Sequence, residues 1–281
     1  MDIQVAAARY LQSLRATGYS AFTTASISSC LGLFSKYVGE REIEDAGEYA
    51  TAFLAEYSEH VKRNSLCTSY SHLKGWLRFC VRQGWLVQSP LEGQRGPRPE
   101  VVITVPLSDS DILGILDHCK QWERAAIILL LGSGMRIGEL AALRWQDLGE
   151  GVLLLHGKGG KQRTVAPGVM AMRELVRLPR EDERVFPRSV GAIKIALRRA
   201  GERAGVNAHP HRIRHTFAHR FMDASGEDIT ALSSILGHSS ITTTMIYLQG
   251  RREKVLDAQR RYNPADALFR ADKTLDIPAA V

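Results

Sequence analysis

The 281-residue sequence has no apolar run of eighteen residues, so nothing in it reads as a membrane-spanning helix. No basic segment followed by an apolar core opens the chain either. MDIQVAAARYLQSLRATG reads as an amphipathic helix ended by Gly18, not as a signal peptide. Cysteine is scarce: Cys30, Cys67, Cys80 and Cys119 form no CxxC pair, which points to reduced thiols in a cytosol. His211, His215 and His219 have a zinc-like spacing but lack the glutamate of HExxH, and two arginines between them would repel a dication, so no metal is expected. GKGGKQ is not a nucleotide-phosphate loop, because Gln162 stands where Ser or Thr should hold magnesium. Most telling, HRIRHTFAHRF at 211–221 contains no carboxylate at all.

What is present is positive charge, unevenly spread. The net charge is +7, and residues 1–95 hold ten Lys/Arg against nine Asp/Glu, leaving 27 against 21 beyond them. That balance favours a polyanionic partner, read by the second part of the chain.

Proline and glycine mark the organisation. Residues 88–106 carry four prolines and two glycines with little helical periodicity, which predicts a linker between residues 1–87 and 107–281. Four helical stretches, about 2–17, 21–38, 45–62 and 65–83, make the first part all-α, with Trp76 and Trp85 in its core. Beyond the linker, Ser108 is a candidate N-cap, WERAAIILLLGSG reads as a central apolar helix, and MRIGELAALRWQDL as another. GVLLLHGKGGKQRTVAP then reads as a hairpin, and helices follow at about 168–177, 190–204, 211–223, 228–236 and 240–260. The expected fold is mainly α (α+β): an all-helical domain plus a mixed domain with a small antiparallel sheet.

The candidate chemistry lies in that second part. Arg136 follows GSG, Lys158 and Lys161 share the Gly-rich turn, and His211 and Arg214 lie three apart on one side of a helix. His238 follows a helix stop at Leu236-Gly237, and Tyr247 lies nine residues on. Such a set suits substitution at a phosphodiester. Guanidinium groups bind non-bridging oxygens bidentately and stay charged, a phenol attacks, and a lysine protonates the leaving oxygen. The spacing alone leaves Lys158 and Lys161 both open.

In GSGMRIGELAALRWQDL, GKGGKQRTVAP, HRIRHTFAHRF and LGHSSITTTMIY, taken in that order, the chain resembles the tyrosine recombinases, or phage-integrase family. The resemblance implies that Arg136 and Arg214 are the catalytic arginines and that Glu139 supports the first. It makes Lys158, directly after Gly157, the general acid. His211 assists the tyrosine proton, His238 holds a non-bridging oxygen, and Tyr247 forms a 3′-phosphotyrosyl link. It implies a SAM-like core-binding domain before the linker and a catalytic domain with a C-terminal tail helix after it. It also implies four protomers exchanging strands between two short core sites of duplex DNA through a Holliday junction. The tail docks on a neighbouring protomer, and no cofactor is required because the phosphotyrosine stores the bond energy. The helical domain starts at the first residues, so no separate arm-binding domain is expected. The same chemistry without strand exchange would be a type IB topoisomerase, and binding without chemistry a DNA-binding regulator. A cytoplasmic, nucleoid-associated protein follows. Lys62, Arg63, Lys74, Arg78, Arg82, Lys161, Arg163 and Arg212 are candidate DNA contacts, with Arg212 and Arg220 open to serving neighbouring phosphates or internal hydrogen bonds, while His215 is assigned a structural role.

If phosphates are the partner, each neutralising cation releases counterions. Duplex affinity, measured by fluorescence anisotropy, should fall by on the order of 10³-fold between 50 and 200 mM salt if six or more phosphates are contacted. A flat salt response would exclude that interface.

Overall fold

Helix α1 (Ile3–Ala16) starts where the Asp2 carboxylate accepts the N–H groups of Gln4 and Val5, and α2 (Ala21–Val38) where Ser20 accepts that of Thr23. Helices α3 (Ala46–His60) and α4 (Arg63–Arg82) complete the bundle. The computed structural model describes residues 1–100, 104–157, 160–238 and 240–248 of the chain. Two compact units emerge, Met1–Ile103 and Thr104–Val281.

The first unit is built on a helical apolar stripe. Leu73, Trp76, Leu77 and Cys80 of α4 are fully buried against Ile3, Leu31 and Phe34, and Phe34 meets Trp76 edge-on at 5.6 Å. Most of the stretch read as a linker is fastened to this unit. Leu91 enters its core, the Tyr70 hydroxyl donates to the Gln94 carbonyl, and Arg63 donates to that of Arg98. Asn64 exchanges two hydrogen bonds with the Glu100 backbone. Lack of helical periodicity in 88–106 reported lack of helix, not lack of contact.

The second unit is mainly helical around one small sheet. Helix α5 (Asp109–Asp117) begins at Ser108 with reciprocal hydrogen bonds between Ser108 and Asp111. Helix α6 (Gln121–Ser133) is central, with Ala125, Ala126, Leu129 and Leu130 fully buried. Helix α7 (Ile137–Ala142) is shorter than MRIGELAALRWQDL predicts. Leu143 turns extended, accepts the Val185 N–H, and is followed by a 3-10 turn over Trp145–Asp147. Asp147 itself takes the Arg144 N–H at 2.9 Å, offering the backbone an alternative to helix.

Strands β1 (Leu153–His156) and β2 (Gln162–Val165) form the expected antiparallel hairpin, in register from Leu153↔Val165 to His156↔Gln162. Helices α8 (Val169–Val176), α9 (Val190–Arg203), α10 (Pro210–Ala224) and α11 (Ile229–Leu236) fall where the periodicity put them. The helix expected over 240–260 is absent from its described part. Residues Ile241–Thr243 and Met245–Leu248 form 3-10 turns, because four successive β-branched residues, Ile241 to Thr244, disfavour the α-helix. The remainder of that stretch, and the tail beyond it, lies outside the described residues.

Two helix ends prepare the site. Helices α6 and α11 both stop on a glycine in the left-handed conformation, Gly134 at φ 60° and Gly237 at φ 62°. A Cβ on Gly134 would lie 2.3 Å from the Phe217 ring. Gly134→Ala should therefore destabilise the fold by more than the roughly 1–2 kcal/mol of a left-handed L-residue. Urea denaturation measures the loss, and an unchanged midpoint would contradict this geometry.

Candidate active site

The site begins with one buried cation. The Arg214 side chain, on α10, is almost wholly out of solvent. Its Nη1 donates to the Gly134 carbonyl at 2.5 Å and its Nη2 to the Leu236 carbonyl at 2.9 Å. These carbonyls end α6 and α11, so the guanidinium rests at the negative ends of two helix dipoles. Burial and the neighbouring Arg136 charge lower its pKa to about 10, which still leaves it ionised at neutrality.

Arg136 and Glu139 are set by the start of α7. The Glu139 carboxylate accepts the Arg136 backbone N–H at 2.7 Å, and Arg136 Nη1 reaches the other oxygen at 3.2 Å. Arg136 Nη2 donates to the Gly237 carbonyl at 3.1 Å, which brings the first arginine to the same glycine turn that serves Arg214. Arg163 occupies the far side of Glu139 with bonds of 2.7 and 2.8 Å, and its Nε donates to the Ile235 carbonyl. Burial pushes the Glu139 pKa up, but the bonds from Arg163 and Arg136 outweigh it and hold the carboxyl below its ordinary range.

All three nitrogens of Arg163, a candidate DNA contact, donate inside the protein, and its side chain also lines the open cleft beside Gly237. Its grip on Glu139 was missed in the sequence, since a strand arginine looks solvent-facing. Arg212, read as serving phosphates or internal hydrogen bonds, makes internal ones, with Nε on the Val105 carbonyl and Nη1 on that of Asn207. Arg220 pairs with Asp109 and the Leu107 carbonyl.

His238 follows the Gly237 turn. Its Nε2 lies 3.0 Å from Arg214 Nη2 and its Nδ1 2.8 Å from Thr244 Oγ1. A guanidinium only donates, so Nε2 accepts and the ring proton sits on Nδ1, donated to Thr244. Burial and then the charges of Arg214 and Arg136 lower the His238 pKa to about 4.

Tyr247 lies beside this cluster and is buried among Ala218, Met222, Leu232 and Leu236. Its ring packs against His215 at 5.3 Å and edge-on to His219 at 5.4 Å. Burial raises the phenol pKa, and the Arg214 charge works the other way. His211 lies one turn before His215, exposed at the start of α10 and stacked on His209. Although His211 is exposed by surface area, partial desolvation of its ring lowers its pKa, as burial does that of His215, and surrounding positive groups add to both shifts.

An open cleft of about 580 Å³ exposes the cluster, lined by Arg136, Lys161, Gln162, Arg163, Gly237 and His238, among others. Donors and cations dominate it, so it suits an oxyanion. Lys158 lies outside the described residues, while Lys161 is exposed at the cleft edge. The basic residues proposed on the first unit are separate features of α4. Arg63 and Arg78 tether residues 92–98, Lys74 lies over the Tyr70 ring, and Lys62 and Arg82 are exposed.

Residues 106–254 match the sequence model of the phage integrase family. A Xylella fastidiosa (strain M23) protein named tyrosine recombinase XerC is 30% identical over 236 residues, covering 75% of this chain and 78% of that protein. Its Xanthomonas axonopodis pv. citri namesake is 32% identical over 219 residues, covering 69% and 70%. Among solved structures, a lambda integrase dimer bound to a COC′ core site superposes with a TM-score of 0.76 at 21% identity, covering 89% of this chain and 97% of that one. A lambda integrase tetramer bound to a Holliday junction gives 0.73 at 21%, covering 86% and 79%.

The histidine shifts set a pH dependence. With folded values below the ordinary 6.5, the unfolded chain takes up protons first as pH falls, so stability is full above about 6.5 and declines toward pH 4. Denaturation midpoints recorded across that window should drop, and His238→Asn should flatten part of the slope. A pH-independent midpoint would mean these rings are not held neutral.

Proposed function

The chain belongs to the phage integrase family of tyrosine recombinases, and from that premise we propose that it is a site-specific DNA recombinase using Tyr247 as nucleophile. The observation that carries the reading is the meeting of Arg136, Arg214 and His238 on the turn around Gly237, with Arg136 and His238 lining one basic cleft and Arg214 buried behind His238. A scissile phosphate seated there gains two guanidinium donors for its non-bridging oxygens, which carry more charge in the transition state than before it. His238 can join them once its Nε2 gives up Arg214 and carries the ring proton.

The Tyr247 hydroxyl loses its proton and its oxygen attacks phosphorus. The bond to the 5′ oxygen breaks, and Lys158 or its neighbour Lys161 gives that oxygen a proton. A 3′-phosphotyrosyl link remains. Forming phenolate at pH 7 from an ordinary phenol costs about 4 kcal/mol, and burial adds to that figure. The Arg214 charge offsets part of it, and His211 is assigned the transfer of the proton. A 5′ hydroxyl from a second duplex then attacks the same phosphorus and releases the tyrosine, so the number of phosphodiester bonds is conserved and neither ATP nor a metal is required. Two such exchanges pass through a Holliday junction. Four protomers on two sites accomplish them, with the tail beyond 248 docking between neighbours. The solved lambda integrase tetramer on a junction lends support to that assembly. The reading implies a cytoplasmic, nucleoid-associated protein that integrates, excises or resolves DNA.

Tyr247→Phe tests the reading on a nicked suicide duplex drawn from DNA flanking the gene. The covalent protein–DNA band on a denaturing gel should vanish while duplex binding persists. A persisting adduct would move the nucleophile elsewhere. Relaxation of supercoils by the parent protein without strand exchange would replace recombination with topoisomerase activity.

A further inference from the structure

The hairpin that carries the candidate lysines is short, with four residues in each strand, and a two-stranded ribbon of that length is marginal alone. It is held by side chains. His156 and Gln162, the last register pair before the turn, are linked through His156 Nδ1 and Gln162 Nε2 at 3.2 Å. His156 Nε2 lies 3.1 Å from Oδ1 of Asp147, whose side chain is almost fully buried and whose Oδ2 is occupied by the Arg144 N–H. A carboxylate only accepts, so His156 carries its proton on Nε2, leaving Nδ1 to accept from Gln162. The next rung is the Gly157 N–H donated to the Lys161 carbonyl at 2.7 Å. Lys158 follows directly in the sequence.

The adjacent strand residue, Arg163, faces the other way and is bonded to Glu139. The hairpin base is thus gripped on both faces. Both anchors, Glu139 and Asp147, belong to the stretch that starts at Arg136, the N-cap of α7. The strand ends at His156 and Gln162 are thereby registered against the first arginine.

We propose that Asp147, His156 and Gln162 form a positioning relay that holds the strand ends at Gly157 and Lys161, between which Lys158 lies in sequence, so that His156 governs proton delivery to the departing 5′ oxygen without touching DNA. The proposal rests on the assignment of a hairpin lysine as general acid. His156 is half exposed, so truncating it removes the relay without opening a core cavity.

The test compares single-turnover cleavage of two suicide duplexes, one with the normal 5′ bridging oxygen and one with sulfur in its place. A thiolate leaves without being protonated, so the sulfur duplex is blind to the general acid. Lys158→Ala should slow the oxygen duplex by on the order of 10²- to 10⁴-fold, and sulfur should restore the rate. His156→Ala should slow the oxygen duplex about tenfold, a part of that effect, and cleave the sulfur duplex at the parent rate. His156→Gln, which keeps a donor toward Asp147, should recover much of the loss. An unchanged rate in His156→Ala, or an equal loss on both duplexes, overturns the relay. Rescue by sulfur in Lys161→Ala instead of Lys158→Ala assigns the acid to the same turn and keeps the relay. Rescue in neither removes the general-acid assignment itself, whatever His156→Ala does, and the relay with it.

Discussion

A guanidinium held by the ends of two helices organises the second unit. Arg214 is buried, and a buried cation persists only where acceptors replace its water. Those acceptors are the Gly134 and Leu236 carbonyls, which are free because α6 and α11 stop there. The stops depend on glycine adopting the left-handed conformation. The turn after α11 then delivers His238 to Arg214 and offers the Gly237 carbonyl to Arg136. One ionic requirement thus fixes the meeting point of three helices and the neighbours of the cleft.

Around that point the charges are graded. Glu139 sits between Arg136 and Arg163 and remains ionised, so it steadies two cations without reaching the cleft as a competing anion. The imidazoles of His211, His215 and His238 are held neutral by burial and by their positive surroundings. The described lining of the cleft therefore carries its permanent charge on Arg136, Arg163 and Lys161, beside a His238 ring whose pKa is held low.

Much of this was legible in the sequence. The capping residue Ser108 marked a helix start, and the change of period at 152–166 marked the hairpin. The set Arg136, Glu139, Arg214, His238 and Tyr247 could be picked out by spacing and resemblance. What spacing could not report is what a side chain faces. Arg163 was read only as a candidate DNA contact, yet it also grips Glu139, 24 residues away, and the carbonyl of Ile235. His156 and Asp147 carried no signal, because a pair nine residues apart becomes adjacent only when α7 ends early. That early end came from a tertiary pairing, Leu143 with Val185, which local propensity does not contain.

Tyr247 lies against two imidazole rings with its phenol shielded from solvent and its pKa raised. A hydroxyl kept in that form yields phenolate less readily than a free phenol. Under the proposed mechanism, reactivity then belongs to the bound complex and not to the resting protein. A solitary molecule meeting random DNA leaves it intact, and breakage is confined to occasions when the ligand itself completes the electrostatics.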